Sequence, residues 1–200
     1  MAVSFENSNT KNNLMKAFAG ESQARNRYTF AASQAKKDNL DLISRVFIFT
    51  ANQEKEHAEL FYGRLQPIFG KSITIEGDYP VDIYNNTLDL LKCARNNEYE
   101  EYNNVYKHFG DEAKSEGFED IATLFYSVAE IEKIHGDRYG KFINLIENGM
   151  LSASEIETQW FCLNCGHLHS SKEAPKECPV CSHNRGYFIK ANGMPIFPVV

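Results

Sequence analysis

Glu54-Lys55-Glu56-His57 and Glu132-Lys133-Ile134-His135 are two copies of one Glu-x-x-His motif, and they decide the fold of this chain of 200 residues. Residues three apart on an α-helix lie on the same face, so each copy directs one carboxylate and one imidazole toward a common point. Two such motifs on two helices, with one inward glutamate from each of two other helices, make the two-metal site of carboxylate four-helix bundles. The motifs therefore predict such a bundle, with two further glutamate ligands elsewhere in the chain.

The residues that surround the two copies also agree. Apolar residues stand eleven, seven and three positions before each glutamate: Ile43, Phe47 and Ala51 in the first copy, and Ile121, Phe125 and Ala129 in the second. This helical spacing marks an inward face, where an ionised carboxylate needs a partner such as a metal ion. A single Glu-x-x-His would be read as a chance pattern on a solvated helix, whereas two copies in matching surroundings favour a metal site.

Two further glutamates occupy the positions that the repeat predicts. Counting back 33 residues from Glu54 reaches Glu21, and counting back 34 residues from Glu132 reaches Glu98. Each half of the chain therefore holds a helix with one metal glutamate, followed by an antiparallel helix with Glu-x-x-His. Glu98 also has a companion on the same helix face, Glu101, three positions later.

The ligand set favours a redox-active iron pair. Oxygen and imidazole ligands suit iron or manganese rather than a thiophilic metal. The five carboxylates supply five negative charges, which nearly balance two ferrous ions or two ferric ions joined by an oxo bridge. The pair can therefore change oxidation state without a large unbalanced charge.

Helical periodicity and chain breakers predict four long helices, at about residues 10–37, 40–65, 81–109 and 118–148. The stretch from Lys71 to Pro80 carries β-branched residues and breakers instead, so we read it as one long crossover between the second and third helices. Gly110-Asp111 and Gly117 predict the turn before the fourth helix. The expected fold is mainly α.

The tail carries a second metal motif. Cys162, Cys165, Cys178 and Cys181 form two Cys-x-x-Cys pairs, which predict a tetrahedral thiolate site. Zinc and iron both fit this spacing, and a unit of about 40 residues needs its metal to fold. The expected domains are a bundle over residues 1–149, a linker over 150–156 and a small metal domain over 157–200. The remaining cysteine, Cys93, is expected to be a small buried hydrophobic residue.

Composition argues against nucleic-acid binding and against insertion into a membrane. The net charge of −6 gives no basic surface for nucleic acid, and no apolar run is long enough to cross a membrane. The stretch from Met1 to Glu6 lacks the pattern of a secretory signal, so a cytoplasmic protein is expected. Cysteines in two close pairs agree with metal thiolates rather than disulfides.

The chain resembles the rubrerythrin family over nearly its whole length. The resemblance is carried by the stretch from Gly20 to Tyr28, by both Glu-x-x-His motifs, by Glu98 with Glu101, and by the four cysteines that follow the bundle. It implies a ferritin-like four-helix bundle followed by a small β-rich, rubredoxin-like domain. It also implies that a bridged di-iron pair is bound by Glu21, Glu54, Glu98, Glu101, Glu132 and His135, with Glu54 and Glu132 bridging. Tyr28 would lie beside this pair, and the four cysteines would hold a single iron.

The resemblance further implies a peroxidase that reduces hydrogen peroxide to water and protects against oxidative stress. Its electrons would come from NAD(P)H through a partner reductase or a rubredoxin, and would reach the bundle through the iron–thiolate site. Glu21, Tyr28, Glu54, Glu98, Glu101 and Glu132 are the expected catalytic residues. A homodimer is also expected, with the tail of one chain beside the bundle of the other.

Two questions remain open on the sequence. The chain could instead be a ferroxidase or iron-storage protein with a structural four-cysteine tail, or an interaction module whose bundle only binds metal. His57 is a seventh candidate ligand for six positions. Because ferric iron favours an anionic ligand, we expect one iron to exchange Glu101 for His57 on reduction, as the resemblance also implies; the alternative is that His57 only hydrogen-bonds a ligand.

Overall fold

The computed structural model describes residues 3–191, in which a helical bundle is followed by a small β-sheet. The helices are α1 (Asn9–Lys37), α2 (Asp41–Gly63), α3 (Thr87–Glu100), α4 (Tyr106–Glu116) and α5 (Glu119–Glu147). A π-helical segment, Glu101–Val105, joins α3 directly to α4, so these two helices form one rod. The bundle therefore has four rods, which confirms the predicted four-helix architecture.

The third rod begins later than the sequence predicts. We expected a helix from Val81, but α3 begins at Thr87, after Asn86 accepts a hydrogen bond from the backbone N–H of Asp89 at 2.9 Å. This side chain satisfies one of the free N–H groups at the helix start. Val81 and Ile83 are 81% and 84% exposed, so no buried face stabilises a helix there.

The predicted turn at Gly110-Asp111 is also wrong, because both residues lie inside α4. A Cβ atom at Gly110 would lie 2.5 Å from Cε1 of Tyr126 on α5, so the residue is a glycine because the two rods approach closely. The turn lies at Gly117, which caps α4 with a left-handed φ of 91°.

The Asp82 carboxylate fixes the crossover, residues 71–86, to the bundle. Asp82 Oδ2 accepts hydrogen bonds from Arg27 Nη1 at 2.8 Å and from Asn97 Nδ2 at 2.7 Å. Arg27 lies on α1 and Asn97 on α3, so the crossover is fixed to both halves of the bundle. Cys93 is only half-buried beside this segment, not fully buried as predicted.

The first and third rods cap each other, because an acidic side chain at the end of each one binds free N–H groups at the beginning of the other. Glu116 accepts hydrogen bonds from the backbone N–H groups of Asn9 and Thr10, each at 2.9 Å, and from the Thr10 hydroxyl at 2.5 Å. In the other half, Asp38 accepts from the backbone N–H of Thr87 at 2.9 Å and from its hydroxyl at 2.5 Å. Each half thus satisfies free N–H groups at the helix start of the other half.

The tail is a three-stranded antiparallel sheet of order β2-β1-β3, with β1 at Ala153–Cys162, β2 at Leu168–Glu173 and β3 at Phe188–Lys190. Its core surrounds Trp160, which is fully buried. Strand β1 begins inside the stretch that the sequence assigns to a linker. The outer limits of the predicted domains, residues 1–2 and 192–200, lie outside the described residues.

The sheet packs on the turn between α1 and α2 of its own bundle. Asn184 Nδ2 donates a hydrogen bond to Asn39 Oδ1 at 3.2 Å, and Leu163 is buried in the same apolar cluster as Leu42. A Cβ atom at Gly186 would lie 1.9 Å from the carbonyl oxygen of Asn39, so this contact requires glycine. None of the helices in residues 3–191 has the length and apolar character needed to cross a membrane.

Candidate metal centre

Four rods direct their acidic and histidine side chains into the middle of the bundle. The donors are Glu21 from α1, Glu54 and His57 from α2, Glu98 from α3, and Glu132 and His135 from α5. His57 is 5% exposed, and the other five are fully buried. The helical repeat thus places every one of these predicted residues in the core.

The donors form two overlapping groups of four. One consists of Glu21, Glu54, His57 and Glu132, the other of Glu54, Glu98, Glu132 and His135, and within each group the ligand atoms lie within 4.8 Å of one another. Glu54 and Glu132 belong to both groups. This is the arrangement expected for two metal ions that share two carboxylates.

The shared carboxylates turn one oxygen toward each histidine. Nδ1 of His57 lies 3.3 Å from Glu54 Oε2 and 2.9 Å from Glu132 Oε1. Nδ1 of His135 lies 2.9 Å from Glu54 Oε1 and 2.8 Å from Glu132 Oε2. This orientation agrees with the bridging role predicted for Glu54 and Glu132, which stays a prediction.

The unsatisfied polar atoms of this centre test whether metal ions fit it. Both oxygens of Glu54 and Glu132, and Nδ1 of His57 and His135, are buried and have no partner of good hydrogen-bond geometry among the described residues. Each such atom costs free energy unless something pairs with it. These are oxygen and imidazole donors, and a pair of iron or manganese ions would satisfy all of them at once.

Electrostatics agree with a centre that needs added positive charge. Burial, together with repulsion from Glu54, raises the pKa of Glu98 to about 8. Burial opposes ionisation of Glu54, but the neighbouring His135 outweighs it and holds the Glu54 pKa below its usual range. Burial lowers the pKa of His57, yet the Glu132 and Glu54 carboxylates outweigh it and raise the value to about 9. Without metal the centre thus retains protons that a metal pair would displace.

Glu101 lies outside both groups, although the sequence predicts it as a ligand. It is half-buried and begins the π-helical segment. Burial, and then the charges of Glu98 and Glu132, raise its pKa, so its carboxyl lies close to the centre. In this structure His57, not Glu101, completes the group that contains Glu21.

Two tyrosines hold the glutamates that are not shared. Tyr28 Oη donates a hydrogen bond to Glu98 Oε1 at 2.5 Å, as the prediction of a tyrosine beside the centre suggested. Tyr106 Oη donates to Glu21 Oε1, also at 2.5 Å, and sequence reasoning missed this residue. Tyr28 follows Glu21 by seven residues, whereas Tyr106 follows Glu98 by eight.

The π-helical segment accounts for this difference. A π-bulge accommodates one extra residue in a helix, so the residues beyond it return to the same face one position later. The two halves already differ by one residue in the spacing from the single glutamate to Glu-x-x-His, 33 against 34. That extra residue was the signal that could have located both the π segment and Tyr106.

Aromatic rings surround the centre along the bundle. Tyr139 packs on Tyr28 and Phe47 with ring centroids 5.4 and 5.3 Å apart, and Phe61 packs on Phe125 and Tyr106 at 5.1 and 5.3 Å. These buried rings exclude water from the carboxylates above and below. The centre is therefore a low-dielectric site in which charge interactions are strong.

The four cysteines of the tail also meet. The Sγ atoms of Cys162 and Cys181 lie 3.7 Å apart, as do those of Cys165 and Cys178, and all four lie within 4.8 Å of one another. A tetrahedron with metal–sulfur bonds of about 2.3 Å has sulfur–sulfur edges of about 3.8 Å. Cys162 and Cys178 are buried, whereas Cys165 is exposed, so the site lies at the surface of the sheet.

Each cysteine pair is closed by a tight turn with a left-handed residue. Gly166 has a φ of 79° and donates its N–H to the carbonyl of Cys162, and Ser182 has a φ of 59° and donates to the carbonyl of Cys178, both at 2.9 Å. The matching turns set the two pairs in equivalent positions around one metal. The chain thus combines a four-helix bundle that holds two overlapping carboxylate–histidine groups with a thiolate site that follows it. These features define a ferritin-like di-iron protein with a rubredoxin-like tail.

Comparison with known proteins agrees with that class. A family model described as "Rubrerythrin" matches residues 12–143, and one described as "Rubrerythrin, rubredoxin-like domain" matches residues 160–189. The chain belongs to the rubrerythrin family. It therefore carries the di-iron centre and the rubredoxin-like domain that the sequence predicts, while the role of each individual ligand stays a prediction.

Similar proteins cover nearly the whole chain. The rubrerythrin of Porphyromonas gingivalis is 42% identical over 188 residues, which covers 94% of this chain and 92% of that protein. The rubrerythrin of Nitratidesulfovibrio vulgaris is 40% identical over 185 residues and covers 92% of this chain and 95% of its own length. Among solved structures, nigerythrin in a fully reduced, all-ferrous state is 26% identical with a TM-score of 0.62, and the match covers 95% of this chain and 88% of that one.

Proposed function

We propose that the chain is a non-haem di-iron peroxidase that reduces hydrogen peroxide to water. The observation that carries the proposal is the presence, on one chain, of a two-ion carboxylate–histidine centre and a four-thiolate site. When bound, two ferrous ions supply both electrons that the reaction needs, and a single iron held by thiolates passes one electron at a time. Such a relay has no evident use in simple iron storage.

Different residues of the centre have different proposed roles. Glu54 and Glu132 would hold both ions, and the tyrosine hydroxyls of Tyr28 and Tyr106 fix Glu98 and Glu21, each of which would bind one ion. Reduction of one peroxide to two waters also consumes two protons. Glu101 lines a cavity beside the centre, so we assign its carboxyl the transfer of protons between this cavity and the substrate.

We extend the proposal to an exchange of ligands on reduction. His57 lies in one donor group with Glu21, Glu54 and Glu132, whereas Glu101 lies in neither group, which is the arrangement that we propose for the ferrous state. Oxidation would favour the anionic carboxylate of Glu101 over a neutral imidazole. Solved structures of nigerythrin are described as mixed-valent, partially reduced and all-ferrous, so the metal sites of that relative change oxidation state.

We further propose a cytoplasmic homodimer in which electrons pass between chains. The tail packs on the α1–α2 turn, and Asp41 at that end precedes Glu54 by 13 residues, or about 20 Å of helix. Efficient electron transfer needs a closer approach, which a tail from a neighbouring chain would provide. The electron donor is proposed to be an NAD(P)H-dependent reductase or a rubredoxin, acting at the exposed side of the four-cysteine site.

The proposal is tested by metal analysis, a visible spectrum and a coupled assay. We expect three irons per chain, the strong visible absorption of a ferric thiolate site, and peroxide-dependent oxidation of NADH in the presence of a reductase. Zinc in the tail together with ferric mineral formation in air would instead favour the ferroxidase or storage alternative. The same protein without peroxide is the control for background oxidation.

A further inference from the structure

A cavity of about 520 Å³ lies between α1 and the α3–α4 rod, beneath the crossover. Two of its lining residues connect it to the metal centre. Glu101 is the carboxyl that stands beside the two donor groups, and Tyr106 donates its hydroxyl proton to Glu21 at 2.5 Å. A molecule in this cavity therefore lies next to the di-iron centre.

The cavity is far larger than hydrogen peroxide requires. Its volume falls within the range of about 300–1,000 Å³ that is typical of pockets for organic ligands. Hydrogen peroxide has only two heavy atoms and would leave most of this space to water. The size therefore points to a substrate with an organic group.

The lining mixes polar and apolar side chains: Asn104 and His108 line the cavity beside Val105 and Phe109, and Lys16 lines it beside Ala17. Asn97 and Glu101 lie at one end, and Val105 and Phe109 continue along the same rod. Phe109 follows Glu101 by eight residues, a rise of about 12 Å along the rod. On the facing helix, Ala17 is a small apolar residue of the lining. A hydroperoxide group would thus meet the carboxyl while an apolar group extends toward Phe109.

The crossover supplies the outer wall. Tyr79 lies over the cavity, with its hydroxyl 3.3 Å from the carbonyl oxygen of Lys16. Gly20 forms the opposite floor, and a Cβ atom there would meet only Tyr79 Cε1, at an ordinary 3.9 Å. A side chain placed at Gly20 therefore has room to grow into the cavity.

We infer that the centre also reduces organic hydroperoxides, and that this cavity holds their aryl or alkyl group. The inference rests on the proposed peroxidase function. The O–O bond of ROOH breaks, two electrons and two protons are taken up, and the products are ROH and water. The electrons come from reduced nicotinamide through the four-cysteine site, as in the reduction of hydrogen peroxide.

Binding is tested without turnover. Cumyl alcohol, the redox-inert product of cumene hydroperoxide, is equilibrated by dialysis with the oxidised, iron-loaded protein. We expect about one molecule per chain for the wild type and for Gly63→Leu, a control glycine in helix α2 with nothing within 4 Å of an added Cβ. Gly20→Leu fills the cavity and should bind at least about tenfold more weakly. Absence of binding to the wild type overturns the inference even if Gly20→Leu does not fold.

Specificity is tested by comparing two substrates. The ratio of kcat/KM for cumene hydroperoxide to that for hydrogen peroxide should fall at least about tenfold in Gly20→Leu and stay unchanged in Gly63→Leu. An unchanged ratio in folded Gly20→Leu, or reduction of hydrogen peroxide alone by the wild type, overturns the inference and leaves the proposed function intact. Failure to reduce either peroxide would overturn both.

Discussion

Replacing Tyr106 with phenylalanine should weaken one of the two metal positions and spare the other. The substitution keeps the ring in its place between Phe61 and Phe125 but removes the hydroxyl that donates to Glu21 at 2.5 Å. Glu21 belongs to only one of the two donor groups, the one that contains His57. The loss should therefore be confined to that ion.

The magnitude follows from the kind of hydrogen bond that is lost. A hydrogen bond to a charged group contributes about 1.5–3 kcal/mol, and its removal leaves Glu21 Oε1 buried without a partner. Loss of a residue that orients a metal ligand lowers affinity by about 10- to 100-fold, which corresponds to about 1.4–2.7 kcal/mol. The two estimates agree, so we expect the affinity for the ion beside Glu21 to fall by about 10- to 100-fold.

Anaerobic titration of the apoprotein with ferrous iron, in competition with a chromophoric chelator, measures both affinities. Tyr139→Phe is the matched control, because Tyr139 is equally buried and its hydroxyl has no hydrogen-bond partner among the described residues. It should change either affinity by less than about threefold. Wild-type affinities in Tyr106→Phe, or an equal loss in Tyr139→Phe, would refute the assigned role of the Tyr106 hydroxyl.

Three further predictions concern stability, electron flow and protons. Glu116→Ala removes the cap on α1 and should lower the free energy of unfolding by about 1–2 kcal/mol in chemical denaturation, against no more than about 0.5 for the exposed control Glu130→Ala. Cys162→Ser should stop NAD(P)H-linked turnover, while its reduced bundle still reacts once with peroxide. Mixing this variant with Glu54→Ala should restore turnover once subunits have exchanged between dimers. If turnover does not recover after exchange is confirmed, electrons do not pass between chains. Without metal, the pKa of Glu98 is raised to about 8 and that of His57 to about 9, so ferrous iron displaces more protons at pH 7 than at pH 9, and an indicator dye should record the larger release at pH 7; equal release at both would contradict this.

The centre was predictable because it repeats at helical spacing. Glu54 and Glu132, each followed by a histidine three residues later, carry enough local pattern to identify two helices and their inward faces. The single glutamates Glu21 and Glu98 then followed from the repeat. All of these depend on a regular helix, which a sequence pattern reports well.

The features that could not be predicted from the sequence depend on residues that are far apart in the chain. Gly110 looked like a turn residue, but its reason for being glycine is Tyr126, which lies across the rod on α5. The contact between Gly186 and Asn39 joins positions nearly 150 residues apart and has no local signature. Tyr106 was missed because a single inserted residue changes the helical register, and regular spacing assumes that no such insertion occurs.

The most direct test of the peroxidase proposal is a single-turnover comparison of two oxidants. The iron-loaded protein is reduced anaerobically and mixed in a stopped-flow instrument with one equivalent of hydrogen peroxide or of dioxygen, while the ferric absorption of the bundle and of the thiolate site is followed. We predict that peroxide oxidises the centre faster than dioxygen and that no iron beyond the bound ions becomes ferric. Faster reaction with dioxygen, together with continuing build-up of ferric mineral when more ferrous iron is added, would contradict the proposed function.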